Sequence, residues 1–321
     1  MTRARARLVV VVTAVLATLA TLVTAAEPSN AQGSTSATDA LAWSTTPAAA
    51  LAADGGGQEL GLAVSANGSV VVVGSNTGGP LCVYAKSTEG TWPTSPTATI
   101  PPVADPTATF GRSVAISAGG QEIIASGAGA AYIYIQTAGQ WPTSPSQTIT
   151  ATASTFGWPV ALSDDGQTAL VGSSGAAYVY TEVGGIWPSA PTATLSGAGG
   201  AALALSGNGE EVLSGAPLSG SGGNAYLYED VDGSWTTSSP VVLSGTGQVG
   251  GGFGSSVALS DNGQTLMVGE PNADDGASPY LGAVYIYSLA DLADWDILYA
   301  PAGSEEFGTA IAISSDGQTA L

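Results

Sequence analysis

Apolar residues along the chain come in short runs that recur at regular distances. A turn of the form Ser-x-x-Gly follows a three-residue apolar run six times, and a second apolar run comes after the turn. Apolar–turn–apolar segments of this length are typical of β-hairpins. The turns are Ser65–Gly68, Ser117–Gly120, Ser163–Gly166, Ser206–Gly209, Ser260–Gly263 and Ser314–Gly317, separated by 52, 46, 43, 54 and 54 residues.

Two further segments complete each repeat. A third run carries tyrosines at alternate positions, as at Tyr132 and Tyr134, which places both rings on one face of a strand. A fourth segment begins at a tryptophan, contains prolines and ends in Thr-rich apolar residues, as in 141–149. Four short strands in about 45 residues have the size and content of one β-propeller blade.

The hydrophobic pattern also orders the strands within a blade. The first two strands are nearly continuous apolar runs, which indicates burial on both faces close to the central axis. The fourth contains prolines such as Pro142 and Pro145, which cannot donate to a ladder and therefore favour an outer edge. The sequence thus predicts an all-β protein, a β-propeller of four-stranded antiparallel blades.

Both extremities of the repeat region suggest a closed ring. The segment Trp43–Leu51 matches a fourth strand that has no first three strands before it, and 307–321 supplies only a first strand and part of a second. We expect the N-terminal strand to complete the last blade of a truncated six- or seven-bladed parent. Five complete blades begin near 59, 110, 156, 199 and 253, and a partial sixth begins near 307.

The N-terminus has the pattern of an export signal. Arg3, Arg5 and Arg7 precede an apolar stretch that ends in small residues, which predicts a signal peptide over 1–26, a linker over 27–40 and the propeller over 41–321. An uncleaved membrane anchor is the alternative, and the membrane would then be contacted only through this segment. We expect a secreted or cell-surface protein.

The charge balance excludes one class of partner. The whole chain carries 5 basic and 25 acidic residues, and removal of 1–26 would leave Lys86 and Arg112 against 25 acids, or 2 − 25 = −23. Nucleic acid would be repelled by such a surface. Cys82, the one cysteine, lies in an apolar run and is predicted to be a buried hydrophobic residue.

The combined motifs resemble the FG-GAP repeat. The best copy has Phe-Gly and Val-Ala-x-Ser over 253–260, Val-Gly-x-Pro over 268–271 and Gly-Ala-Val-Tyr-x-Tyr over 282–287, and the Phe-Gly opening recurs at 110, 156 and 307. This resemblance implies a propeller like that of integrin α subunits and bacterial surface proteins. Such propellers serve many functions, so the resemblance specifies the fold better than the activity.

One departure concerns calcium. Calcium-binding copies of the repeat carry an Asp-rich loop between the first two strands, whereas this loop is here a four-residue turn such as 163–166. Because calcium takes six to eight oxygen ligands, we expect a plain hairpin turn there, with no metal and no cofactor. The sequence is similar to the calcium-free subtype found in bacterial exported proteins.

Little in the sequence indicates catalysis. The chain has no histidine, which removes Ser-His-Asp and Cys-His chemistry. Adjacent acids such as Asp164 and Asp165 or Glu210 and Glu211 face opposite ways in a strand, so they should not converge as glycosidase pairs do. We therefore predict no catalytic residues. Sialidase-type and lactonase-type propellers remain alternatives, because both carry related Asp-Gly-x-Thr hairpins.

Irregular positions on the regular ring are the best candidates for ligand contact. Trp158 follows Phe156-Gly157 where other repeats have Arg112 or Ser255, and the longest insertion contains Asp274, Asp275 and Tyr280. We expect a binding or scaffold module for an extracellular protein or carbohydrate. An exported hydrolase, lyase or lactonase that uses carboxylates and a structural envelope repeat are the alternatives.

Overall fold

The protein consists of antiparallel sheets that follow one another along the chain. The computed structural model describes residues 20–22, 49–51, 61–75, 78–103, 110–151, 156–197, 201–245, 250–274, 281–300 and 306–321. Within these ranges all regular structure is β, in five sheets of four main strands and one two-stranded pair. The predicted all-β class and the four strands per repeat are confirmed.

Each of the five sheets is a simple meander in which strands one to four lie in sequence order. From first to fourth strand, sheet 1 contains β3 Leu62–Val64, β4 Val70–Val73, β5 Leu81–Ala85 and β6 Ala98–Ile100; sheet 2 contains β7 Val114–Ile116, β8 Glu122–Gly127, β9 Ala130–Ile135 and β10 Gln147–Thr150; sheet 3 contains β11 Val160–Leu162, β12 Thr168–Ser173, β13 Ala176–Thr181 and β14 Ala193–Ser196; sheet 4 contains β15 Ala202–Leu205, β16 Glu211–Ala216, β17 Asn224–Val231 and β19 Val241–Ser244; sheet 5 contains β20 Ser256–Leu259, β21 Thr265–Glu270, β22 Ala283–Ser288 and β23 Asp291–Tyr299. A short extra strand, β18 Ser234–Trp235, pairs with the end of β17.

The outer strand is shorter than the sequence pattern predicts. In sheets 1 to 3 the Trp-Pro part of the fourth segment lies outside the strand, and only the last three or four residues pair with the third strand. In sheet 4 the corresponding Trp235 belongs to β18, and the residues after Pro240 form β19. The prolines explain this difference, since a residue without an N–H cannot continue a ladder. Most residues of the first strands are only half-buried, whereas the second strands are buried on both faces as predicted.

The N-terminal strand does not pair as predicted. Ala49–Leu51 (β2), the end of the expected closing strand, pairs antiparallel with Ala20–Leu22 (β1) rather than with the last repeat. Trp43 lies outside the described residues. A three-residue strand has few side chains to specify its partner, and any other short strand can pair with its backbone N–H and C=O groups. The sixth repeat, from 306 to 321, forms a hairpin in which Ala312 and Leu321 exchange backbone hydrogen bonds.

The hydrophobic core lies between successive sheets. Each main cluster joins residues of two neighbouring sheets, and the last joins sheet 5 to the sixth repeat through Phe307, Ile311 and Ile313. The tyrosines that mark each third strand belong to this core. Tyr84, Tyr134, Tyr180, Tyr228 and Tyr285 are fully buried. Their recurrence therefore reflects packing between sheets and not a ladder of exposed rings.

Two of these tyrosines give a matched test of the core. The Tyr228 hydroxyl donates to the carbonyl oxygen of Ser196 at 2.8 Å, whereas the buried hydroxyl of Tyr180 has no hydrogen-bond partner among the described residues. A satisfied buried hydroxyl stabilises by about 1 kcal/mol, and an unsatisfied one costs about 1–3 kcal/mol. We expect Tyr228→Phe to lower and Tyr180→Phe to raise the free energy of unfolding in urea. Equal changes of the free energy of unfolding in the same direction would contradict the difference in hydrogen bonding between the two hydroxyls.

Backbone hydrogen bonds also join the sheets at the Ser-x-x-Gly turns. In the second to fifth turns, the second residue donates its N–H to the carbonyl oxygen of the corresponding residue in the next repeat. These bonds run from Ala118 to Asp164, from Asp164 to Gly207, from Gly207 to Asp261 and from Asp261 to Ser315, at 2.8 to 3.2 Å. The turns therefore form a linked series, which we call the turn series. It holds the inner ends of sheets 2 to 5 and the sixth repeat together.

Within each turn a serine side chain organises the backbone. Ser163, fully buried, donates its hydroxyl to Asp165 Oδ1 at 2.6 Å and accepts a hydrogen bond from the Thr168 N–H at 2.9 Å. The final glycine, Gly166, has a φ of 76°, a conformation that residues with a Cβ rarely adopt. The Asp165 carboxylate is thus used in the hairpin itself.

Candidate functional site

The meander topology divides the loops between two faces of the molecule. The face where the first strands begin is formed by the Phe-Gly segments 110–113, 156–159, 253–256 and 307–310 and by the loops between second and third strands. We call it the entry face. The opposite face carries the turn series and the loops between third and fourth strands. Because neighbouring first strands contact one another, side chains that precede them are brought together.

Arg112 and Trp158 meet on the entry face. Each is the third residue of a Phe-Gly segment, one before sheet 2 and the other before sheet 3, and the Arg112 guanidinium carbon lies 4.0 Å from the centroid of the Trp158 ring. Trp158 is 37% exposed and Arg112 is half-buried. The sequence singled out Trp158, and the structure adds Arg112 as its neighbour.

A serine between the two sheets fixes this arrangement. Ser113, next to Arg112, accepts a hydrogen bond on its Oγ from the N–H of Val160 at 3.1 Å, and its own N–H donates to Ser126 Oγ at 2.9 Å. Ser256 in sheet 5 makes a comparable bond to the carbonyl oxygen of Gly308 in the sixth repeat, at 2.6 Å. Arg112 and Trp158 therefore lie on backbone segments that are directly bonded to each other.

The other predicted contact residues belong to the long loop between β21 and β22 in sheet 5. Asp274 is half-buried in this loop, while Asp275 and Tyr280 lie outside the described residues. On the same face, the loop between β16 and β17 in sheet 4 borders a cavity of about 210 Å³ lined by Gly197, Ala201 and residues 216–219. Leu218 projects from this loop and is 96% exposed.

On the opposite face the side chains of Asp164 and Asp261 approach the same glycine, Gly207, across the turn series. A Cβ placed on Gly207 would lie 2.7 Å from Asp164 Oδ2 and 2.9 Å from Asp261 Cβ, so both aspartates occupy the space that this glycine leaves open. Burial raises the pKa of Asp164, and the Asp261 and Asp165 carboxylates raise it further. The two aspartates that share this space thus come from different repeats and are not adjacent in the sequence. The backbone hydrogen bonds of the turn series bring these equivalent positions together.

A second acidic position lies beneath the turn glycines. The Glu122 side chain occupies the space where a Cβ on Gly166 of the next repeat would be, and Glu211 does the same at Gly263. The buried Oε2 atom of each has no hydrogen-bond partner among the described residues. Burial raises the pKa of Glu122 to about 7, with smaller contributions from the Glu182 and Asp165 carboxylates.

Glu122 should make stability depend on pH. Its pKa rises from 4.5 to about 7 on folding, so the folded protein binds the proton more tightly and loses stability as pH rises through this interval. Solvent screening of this half-buried group limits the loss to about 1–2 kcal/mol. We expect Glu122→Gln to stabilise the protein at pH 8 and to have little effect at pH 4.5, as measured by urea unfolding. Glu210→Gln, at an exposed position two repeats further along the chain, is the control. An equal gain in stability in both variants would contradict the raised pKa of Glu122.

Neither a metal centre nor a membrane-spanning helix occurs in the described part of the chain. In the ranges given above, no three His, Cys, Asp or Glu side chains come together as a metal centre would need. No helix with the length and hydrophobicity of a membrane crossing occurs among the residues whose structure is described.

Comparison with known proteins shows similarity of fold. No protein-family model and no curated protein sequence matches the chain. Among solved structures it is similar to hydrazine synthase of Kuenenia stuttgartiensis, with 12% identity, a TM-score of 0.52 and coverage of 81% of this chain and 71% of that one. It is also similar to a Bacteroides fragilis protein described as a candidate 6-phosphogluconolactonase, with 14% identity, a TM-score of 0.54 and coverage of 82% and 74%. At such identities the likeness concerns the fold alone.

Proposed function

We propose that the sheets form a β-propeller of the FG-GAP type that is exported and binds a short acidic glycan at Arg112 and Trp158. The observation that carries this proposal is the stacking of the Arg112 guanidinium on the Trp158 ring, at 4.0 Å from its centroid, on the entry face. The other positions at the same point of the Phe-Gly segments are small polar residues, Ser255 and Thr309. The pair is thus a local departure from the repeat, as expected of a feature that serves recognition and not the fold.

The chemistry of the two side chains selects the ligand. A guanidinium has five N–H donors in a rigid plane that matches a carboxylate, and stacking on an indole fixes the direction of that plane. The exposed part of the indole offers an apolar surface to the C–H groups of a sugar ring. Together they fit a sugar that carries a carboxylate. The net charge of −20 disfavours long polyanions, so we expect a short chain or a terminal uronic acid.

The site is also organised before a ligand arrives. The Ser113–Val160 hydrogen bond joins the two backbone segments that carry Arg112 and Trp158. Little reorganisation is then needed on binding, so the entropy cost of ordering the two side chains is small. Ser113 acts here as a positioning residue.

Titration calorimetry with uronic-acid-terminated oligosaccharides and their neutral counterparts tests the proposal. We expect binding of the acidic sugar only, a loss of at least tenfold in affinity in Trp158→Ala and in Arg112→Gln, and a smaller loss in Arg112→Lys, which keeps the charge but not the planar fork. Trp295→Ala, at an exposed tryptophan far along the chain, is the control for the loss of an indole. Thermal unfolding of each variant establishes that it is folded.

Two results would contradict the proposal. Equal binding of neutral and acidic sugars would exclude carboxylate recognition. Binding that is unchanged in folded Trp158→Ala protein would place the site elsewhere, and saturable binding of a protein instead of a glycan would replace the ligand class.

Hydrolysis of a lactone or glycoside by Asp164 and Asp261 is a second candidate function. The approach of Asp164 and Asp261 to the same glycine favours it, since two carboxyl groups close together can act as general acid and general base. The fold shared with a candidate lactonase is compatible with such an activity. Asp164→Asn and Asp261→Asn should each abolish turnover of a δ-lactone or an aryl glycoside. Asp165→Asn is the matched control, because Asn67, Asn208 and Asn262 occupy the same turn position in other repeats.

A further inference from the structure

The outer strand of sheet 5 differs from those of the other sheets. β23 spans nine residues, Asp291–Tyr299, whereas the outer strands of sheets 1 to 4 span three or four. It contains no proline, and it is the last strand in the order of its sheet. A proline stands one or two residues before each outer strand of sheets 1 to 4, where it limits pairing with further strands, and no proline stands at that place before β23.

Its side chains on the face shared with Tyr285 and Tyr287 differ as well. The residues that pair with Tyr287, Tyr285 and Ala283 are Trp295, Ile297 and Tyr299. At the corresponding places sheet 2 has Ser146, Thr148 and Thr150, and sheet 3 has Thr192, Thr194 and Ser196. Trp295 is 44% exposed and Tyr299 is 40% exposed, while Ile297 is half-buried. Sheet 5 thus carries an aromatic strip where sheets 2 and 3 have small hydroxyl side chains.

The backbone of this strand is available for pairing. The Ala300 N–H donates to the carbonyl oxygen of Gly282, which fixes the phase of the ladder between β22 and β23. Antiparallel ladders alternate between bonded and non-bonded pairs. The backbone groups of Trp295, Ile297 and Tyr299 therefore point away from β22, toward the edge of sheet 5 where no further strand pairs among the described residues. An added strand could bond to these groups and cover the aromatic strip at the same time.

Charge identifies the kind of strand that would fit. Asp291, Asp294 and Asp296 are exposed along the same strand. A second copy of this chain would bring three further aspartates to the edge, and like charges opposite each other destabilise a strand pair. We propose that β23 is a docking edge for an extended, lysine- or arginine-bearing segment of a partner protein, which adds to sheet 5 as a fifth strand. This inference does not depend on the glycan site, which lies on the entry face.

Three synthetic nine-residue peptides test the proposal: one alternating lysine with valine, one alternating glutamate with valine, and a lysine–valine peptide N-methylated on alternate backbone nitrogens. We expect fluorescence anisotropy to show binding of the first peptide only. The substitution Tyr299→Pro removes one outward N–H and should weaken binding at least tenfold. Asp294→Asn combined with Asp296→Asn should weaken it about threefold and reduce its dependence on salt.

Each other outcome would overturn the proposal. Equal binding of the N-methylated peptide would show that the peptide does not bind by adding a strand to sheet 5. Binding of the glutamate peptide would show that the edge does not select a basic segment. Self-association of the protein that is abolished by Tyr299→Pro would make a second copy the occupant. If Tyr299→Pro fails to fold, Tyr299→Thr, which restores a small hydroxyl side chain as in sheets 2 and 3, should still weaken binding several-fold, and unchanged binding would exclude the aromatic strip.

Discussion

Gly254→Ala is expected to lower the free energy of unfolding by about 3–4 kcal/mol. Gly254 belongs to the Phe-Gly segment before β20 and has a φ of 91°. An added Cβ would overlap the carbonyl oxygen of Asn224 and lie 2.9 Å from the Ala216 nitrogen, both in sheet 4. A left-handed conformation costs a residue with a Cβ about 1–2 kcal/mol, and forced overpacking adds about 1–3 kcal/mol. The two penalties act together here because the overlapping atoms are backbone and cannot rotate away.

Two other glycines separate these contributions. Gly250 has a φ of 80° but open space around its Cα, so Gly250→Ala should show only the conformational cost of about 1–2 kcal/mol. Gly119→Ala, in an open turn position without a positive φ, should be close to neutral. Urea denaturation of the three variants gives the comparison. Equal losses in Gly254→Ala and Gly250→Ala would mean that the approach of sheets 4 and 5 does not require a glycine.

Phe156→Ala should destabilise the protein by about 3–5 kcal/mol, the usual range for an aromatic residue removed from a packed core. Phe156 is 1% exposed and joins the cluster that links sheets 2 and 3. Its ring meets that of Tyr178 edge to face, with centroids 5.4 Å apart. The lost contacts therefore include an aromatic pair as well as buried area, and the surrounding strands are too well bonded to close the cavity.

A graded series tests this expectation. Phe156→Leu should cost about 1–2 kcal/mol, because most of the volume is retained. Val183→Ala, at a side chain that is 75% exposed, should be within about 0.5 kcal/mol of the parent. The measurement is again the free energy of unfolding in urea. A Phe156→Ala variant as stable as Val183→Ala would show that the sheets are not held together by this cluster.

The repeat pattern was sufficient to predict the sheets and their strand order. The Ser-x-x-Gly turns, the buried second strands and the interior tyrosines are dictated by local chemistry that recurs in every repeat, and all appear in the structure. The extents of the fourth strands were predicted less well, since the Trp-Pro segments are compatible in composition with a strand but lack the donors to form one. The partner of Ala49–Leu51 was predicted incorrectly, because a three-residue apolar segment can pair with several edges.

The candidate sites depend on contacts between repeats, which a single sequence does not reveal. Trp158 can be identified from the sequence because it interrupts the Phe-Gly repeat with a large aromatic residue. Arg112 is one of several residue types found at that position, and only the structure shows that it contacts the Trp158 ring. Asp164 and Asp261 lie 97 positions apart in the numbering, and the glycine between them, Gly207, gives no hint that it leaves room for both. A comparison of equivalent positions in successive repeats could have found both pairs.

The turn series has a consequence for isotope exchange. Amide protons in surface turns normally exchange with deuterium within seconds, but those of Ala118, Asp164, Gly207 and Asp261 are bonded to the adjacent repeat. They can exchange only when two neighbouring sheets separate, so their protection measures that separation directly. Four single amides would thus act as separate gauges of the four junctions from sheet 2 to the sixth repeat, and would show which junction opens first when the protein is warmed.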